Sequence, residues 1–175
     1  HILLEALKGL YDLGVDFSCS LAGTSTDKKF VDQLKNLVSA YGLENKIDFV
    51  GFLPREKLKG FFARHNVLAF PSVFQEPFGI SQVEAMAAGL TVVSSGTGGA
   101  REIVEHGVSG LIFESENSES LARELLWLVE NPEKWQKIAR QGQKRAMAEF
   151  DIEKSVDHLE QEFSTLINCR CLPAQ

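Results

Sequence analysis

PSVFQEPFGISQVEAMAAG, residues 71–89, is the stretch around which the rest of the chain is organised. The short apolar run Val67 to Phe70 comes before it and stops at Pro71, so it reads as a buried strand aimed at this loop. Pro77 and Gly79 then break the chain ahead of Ile80, Val83, Ala87 and Ala88, whose three-to-four spacing predicts a helix with those residues on its inner stripe. The unit is strand, loop, helix.

A helix that starts near Gly79 turns unpaired N–H groups and the positive end of its dipole toward the crevice beyond the strand, which is a site for a phosphate. Gly79 has no Cβ, so a ligand is expected to approach the backbone closely there. Glu76 lies in the loop, and Glu84 falls four residues after Ile80 on the same helix face. Two carboxylates on either side of a phosphate site suit hydroxyl groups at both ends of a sugar–diphosphate–ribose ligand.

Outward from this unit, residues 51–114, GFLPREKLKGFFARHNVLAFPSVFQEPFGISQVEAMAAGLTVVSSGTGGAREIVEHGVSGLIFE, resemble retaining glycosyltransferases of group 1 (family 4) almost throughout. In that family two glutamates separated by seven residues flank the nucleotide-sugar; here they are Glu76 and Glu84. A pair of acids alone is weak evidence in a chain with 24 Asp plus Glu. The surrounding run supplies the specificity.

The resemblance implies that Glu76 is the catalytic-site residue, contacting donor-sugar hydroxyls near the reacting carbon without a nucleophilic role. It makes Glu84 the ribose binder, and has Phe78, Gly79 and Ile80 act through backbone N–H, their side chains free to be core. Gly51, Phe52 and Leu53 follow a strand at the carboxyl edge, where open α/β sheets bind ligands. Spacing alone fits a tight turn equally well, and the resemblance assigns them to the nucleobase pocket. Gly98 and Gly99 lie in the next loop along that edge, where approach to the sugar and plain turn chemistry both account for them.

At 175 residues, 44% hydrophobic and 24% charged, the composition is that of an ordinary globular domain. The net charge of −6 and the absence of a basic run argue against nucleic acid. No apolar run approaches the ~20 residues that span a bilayer, and no basic–apolar–small leader opens the chain. Cys19, Cys169 and Cys171 are too few and too badly spaced for a disulfide framework, which suits a reducing, cytoplasmic setting. Cys169 and Cys171 read as an irregular tail rather than metal ligands. No Asp-x-Asp pair occurs, which disfavours a metal-dependent transferase and any metal site, and no Gly-x-Ser-x-Gly elbow occurs, which disfavours a Ser/His/Asp hydrolase. No cofactor is expected, the nucleoside-diphosphate sugar implied by the resemblance being the substrate.

Along the chain, periodicity predicts a helix from Ile2 to Leu10, a strand from Val15 to Leu21, and a helix from Asp27 to Tyr41 with Phe30, Leu34, Leu37 and Val38 inward. A strand over Ile47–Val50 and a helix at Leu58–Phe62 follow. Beyond residue 89 come a strand over Leu90–Ser94, a short helix over Ala100–Glu105, a strand over Leu111–Phe113, and helices from Ser118, from Asn131-Pro132 and over Ile152–Ile167. Alternation at this pitch predicts an α/β fold, a Rossmann-like doubly wound parallel sheet. By resemblance it is one half of a two-domain B-type glycosyltransferase. Residues 1–149 form the nucleotide-sugar-binding domain, and 150–175 a terminal helix and tail that cross to an N-terminal Rossmann-like domain.

Relatives open this domain with a strand ending in Gly-Arg, then Lys-Gly, and those two cations grip the diphosphate. The sequence starts after both, so a central strand is expected to be missing. Its neighbours would then carry unpaired backbone groups, each costing ~1–3 kcal/mol if buried. His1, His65, His106 and His158 show no catalytic pattern, and Arg55, Arg64 and Arg101 read as solvated surface.

The expected function is therefore glycosyl transfer from a nucleoside-diphosphate sugar to an acceptor hydroxyl of a glycan or lipid in the intact enzyme, the isolated fragment being inactive. A peripheral membrane contact through the other half stays open. Rival readings are a non-catalytic nucleotide-binding or scaffold fragment and a nucleotide-sugar epimerase of the same architecture.

Overall fold

The computed structural model describes residues 1–170, with the side chains of 168–170 left aside. Cys171 lies outside the described residues, whereas Cys169, read as irregular tail, falls in the last helix because the helical run continues to Arg170. Five short strands alternate with helices: α1 (Ile2–Asp12), β1 (Cys19–Ala22), α2 (Lys28–Ala40), β2 (Ile47–Gly51), α3 (Arg55–Phe62), β3 (Val67–Phe70), α4 (Ile80–Ala87), β4 (Thr91–Ser94), α5 (Ala100–Ile103) and β5 (Leu111–Ile112). Three helices then follow without a strand between them: α6 (Ser118–Glu130), α7 (Pro132–Glu149) and α8 (Ile152–Arg170).

Every strand pair is parallel, as helical crossovers require. β4 sits between β3 and β5, and all four of its residues are buried. Side chains alternate across a strand, so Val92 and Val93 face opposite layers. Val93 packs with Leu111, Ile2, Ala6 and Leu121, beneath α1 and α6. Val92 packs with Phe62, Ala85, Met86 and Ile103, beneath α3, α4 and α5. A strand apolar on both faces is the mark of a doubly wound sheet.

The sheet is not continuous. β1 and β2 form one two-stranded unit, and β3, β4 and β5 a three-stranded one. A cavity of about 300 Å³ separates them, walled by Cys19 and Ser20 of β1, Val67, Leu68 and Ala69 of β3, and Leu3, Leu7 and Leu10 of α1. Among the described residues, β1 and β3 are each paired along one edge only, and the free edges border this slot. At its rim the His65 ring bridges the two units: Nδ1–H donates to the Phe61 carbonyl at 2.8 Å, and Nε2 accepts from the Ser20 hydroxyl at 3.0 Å. The unpaired strand edges expected from the sequence thus face each other across this slot.

Several element limits differ from the sequence expectation. Val15 to Ser18 are not strand, because β2 begins only at Ile47, opposite Cys19, and leaves them without a partner. α2 begins at Lys28 rather than Asp27, whose side chain caps it by accepting from the Phe30 N–H at 3.1 Å. Phe30 itself is exposed rather than inward, since it occupies the first turn, outside the layer where Val38 is buried.

Cys19 lines the slot, and burial pushes its thiol up to about 11. Its folded pKa therefore lies above the usual thiol value, and the thiolate is scarce at neutral pH. Alkylation with iodoacetamide at pH 8, mapped by mass spectrometry, is expected to spare Cys19 in the native chain and label it on unfolding in urea. Native labelling of Cys19 at the unfolded rate contradicts the raised pKa that burial in the slot gives its thiol.

Candidate functional site

The strand ends define one edge. Parallel pairing brings the carboxyl ends of β3 and β4 side by side, so the loop after β3 (residues 71–79) meets the loop after β4 (residues 95–99). The two loops touch backbone to backbone. Gly99 N–H donates to the Glu76 carbonyl at 2.7 Å. A Cβ on Gly98 would stand 2.4 Å from the Glu76 carbonyl oxygen, and one on Gly99 2.1 Å from that of Pro77. These glycines are therefore required by the approach of the Glu76 loop.

Hydroxyl groups add a second set of ties. Ser95 Oγ donates to the Ser72 carbonyl at 2.7 Å, and Thr97 Oγ1 donates to the same carbonyl at 3.3 Å. Ser72 Oγ in turn donates to Glu76 Oε1 at 3.1 Å. Glu76 is half-buried in this clamp, and among the described residues its Oε2 has no partner.

α4 starts where the sequence predicts, with Gly79 as its N-cap in the left-handed region at φ 91°. The Gln82 N–H closes the first turn on the Gly79 carbonyl at 2.9 Å. Among the described residues the N–H groups of Phe78, Gly79, Ile80 and Ser81 have no protein acceptor. Ile80 and Ser81 are exposed, so this turn is open to an anion from outside.

Two expectations about α4 need correction. Its buried face is Gln82, Ala85 and Met86, whereas Ile80 is 65% exposed and Ala88 is exposed. Ile80 precedes the turn that packs on the sheet, so an apolar side chain there faces outward. Phe78 is not core either: it is part-exposed at the surface, edge-on to Phe150 with ring centroids 5.7 Å apart. The space that Gly79 leaves is already filled, because the Gln82 amide nitrogen lies 2.5 Å from where its Cβ would be. The left-handed φ of Gly79 is what demands the glycine, since the Gln82 amide is the far end of a flexible side chain. Gln82 is fully buried with neither amide atom hydrogen-bonded.

Glu84 shares its face with Ile80 and Ala88, so it lies on the accessible flank of α4, half-buried. It stands ~6 Å along the axis from Ile80, at 1.5 Å per residue. Gly51 ends β2 with φ 74°, followed by Phe52, which is 72% exposed, and by half-buried Leu53. No Lys or Arg occurs between His65 and Ala100. The first turn of α4 is thus the positive feature of this edge, with exposed Arg101 beyond the glycine loop.

Neither described cavity is this site. The larger, about 850 Å³, lies at the other end of β5 between α6 and α7, lined by Arg123, Trp127, Lys134 and Lys137. The candidate site is an open edge. Among the described residues no group of three His, Cys, Asp or Glu side chains is placed to hold a metal ion.

Residues 1–145 match the family model for glycosyl transferases group 1. The chain belongs to that family. It is 32% identical over 132 residues to the amylovoran biosynthesis glycosyltransferase AmsK of Erwinia amylovora, covering 73% of this chain and 32% of that protein. Among solved structures, Anabaena HepE in complex with UDP superposes with a TM-score of 0.85 at 31% identity, over 94% of this chain and 44% of that one. The C-terminal domain of the group 1 family protein LpcC from Francisella tularensis superposes at 0.79 and 25% identity, over 86% of this chain and 78% of that one. The chain spans less than half the length of AmsK and HepE. Known HepE complexes hold UDP and UDP-glucose.

Sequence reasoning located the loop and the helix start but missed Ser72, Ser95, Thr97 and Gln82. The small-polar run Ser94-Ser95-Gly96-Thr97 after a strand was the available signal. Gly99 has an ordinary backbone conformation, so its substitution tests loop contact alone. Gly99→Ala is expected to cost about 1–3 kcal/mol through overpacking, read as a lowered midpoint in urea unfolding with an unaltered slope. A midpoint equal to the parent's would show that the two loops are not in contact.

Proposed function

We propose that the chain is the C-terminal, nucleotide-sugar-binding domain of a retaining glycosyltransferase of family 4. In a longer chain it would transfer a hexosyl group from a nucleoside-diphosphate sugar to an acceptor hydroxyl on a glycan or lipid. The observation that carries this reading is the first turn of α4. Its N–H groups face outward without protein acceptors, next to the clamped loop that holds Glu76.

In this reading the diphosphate rests on the N–H groups of Phe78 to Ser81. Negative charge grows on the diphosphate as the glycosidic bond breaks, and fixed dipoles stabilise that charge without reorganising. Such stabilisation calls for no metal ion and no separate cofactor. Glu76 accepts from hydroxyls of the sugar, Glu84 from the ribose, and residues 51–53 border the base. The UDP complexes of HepE support UDP as the nucleotide. A strand preceding His1 in the longer chain fills the slot between β1 and β3, which the facing free edges and the covered share of HepE support. The exposed apolar side chains of α8, Val156, Leu159 and Phe163, suit packing on the N-terminal domain.

Calorimetric titration of the chain with UDP, GDP and ADP tests the nucleotide, with Glu84→Ala as the site control. A hydrogen bond to a charged group contributes about 1.5–3 kcal/mol, so the variant should bind UDP roughly 10- to 100-fold more weakly. Equal affinity for parent and variant would refute the ribose assignment.

A further inference from the structure

We propose that Ser72 is a positioning residue, the middle of a hydroxyl relay from Ser95 that aims the Glu76 carboxylate at the sugar half of the ligand. The inference rests on the reading of Glu76 as a sugar contact and adds what makes that contact selective.

The relay begins in the sheet. Ser95 directly follows β4, is buried, and has its N–H on the Phe70 carbonyl at 3.1 Å, so its hydroxyl is carried by the strand framework. That hydroxyl and the Thr97 hydroxyl both donate to the Ser72 carbonyl, at 2.7 and 3.3 Å. Two donors on one carbonyl fix the Ser72 peptide in a loop with no secondary structure of its own. The Ser72 hydroxyl, held by that peptide, donates to Glu76 Oε1 at 3.1 Å.

A glutamate has three rotatable side-chain bonds, and their freedom opposes any single arrangement. A donor on one oxygen selects among those arrangements. It leaves Oε2 as the acceptor without a protein partner among the described residues. An oriented free carboxylate oxygen suits a neutral hydroxyl donor, as a sugar provides, and repels a phosphate. The two ends of the ligand are thereby sorted: anionic groups go to the turn of α4 and hydroxyls to Glu76.

The rival explanation is that the Ser72–Glu76 bond only stiffens the loop. The two differ in what they do to ligand preference. Loop stiffening moves the affinities for UDP and UDP-glucose together, whereas the relay moves their ratio.

The test is titration of the chain with UDP and with UDP-glucose, comparing parent, Ser72→Ala, Ser72→Thr, Ser95→Ala and Glu76→Ala, each checked for native circular dichroism. The parent is expected to bind UDP-glucose more tightly than UDP. Ser72→Ala should lose roughly fivefold of that preference, the worth of one hydrogen bond. Ser72→Thr, which keeps the hydroxyl, should restore it, and Glu76→Ala should abolish it. A Ser72→Ala variant with the parent's preference overturns the relay alone, as does a Glu76→Ala variant that keeps it. Should Ser72→Ala fail to fold, Ser95→Ala supplies the same comparison, and an unaltered preference there also overturns the relay. A parent that binds neither compound overturns the nucleotide-sugar reading, and the relay with it.

Discussion

The site depends on one close contact, the backbone of Gly98 and Gly99 lying against that of Gln75, Glu76 and Pro77. No side chain fits between the two loops, so the position of Glu76 is set by main chain rather than by adaptable side-chain packing. This works because β3 and β4 run parallel in register, Phe70 opposite Ser94, and release their loops at the same edge. β4 is buried on both faces and anchors that register. Rigid elements thus hold a loop that has little core of its own, the usual way an exposed segment is made geometrically exact enough for binding.

Electrostatics at this edge come from backbone. The chain is acidic overall, and the stretch from His65 to Ala100 carries Glu76 and Glu84 without a Lys or Arg to offset them. The opened first turn of α4, where aligned peptide dipoles concentrate positive charge, is the feature of this stretch that suits an anion. The same turn contains a cost. Gln82 buries an amide with no hydrogen-bond partner, a loss of ~1–3 kcal/mol for each unpaired group, against the Cα of Gly79. That unpaired amide lies in the turn where ligand contact is proposed.

Most of the strand and helix order was legible because the punctuation is chemical: Pro71, Pro77 and Gly79 around the loop, Pro132 at a helix start. Side-chain direction was less legible. Ile80 is apolar and at helical spacing from Val83 and Ala87, yet it faces out, because the first turn of α4 projects past the sheet edge while Gln82 turns in. Hydropathy orders those two residues the wrong way round. The ties from Ser95 and Thr97 to Ser72, and the approach of Gly99 to Glu76, span more than twenty residues between loops without periodicity, and only the fold brings them together. The break between β1 and β3 followed from comparison with relatives, since neither strand's composition announces an open edge.

The central claim is that the first turn of α4, with the two loops beside it, is where an anionic nucleotide ligand binds. Amide chemical-shift mapping of the 15N-labelled chain during titration with UDP tests it most directly. The account predicts the largest shifts at Phe78, Gly79, Ile80 and Ser81, with smaller ones at Gly51, Phe52, Gly98 and Gly99. Shifts concentrated instead around Trp127, Lys134 and Lys137, with the turn at Gly79 unmoved, would contradict it.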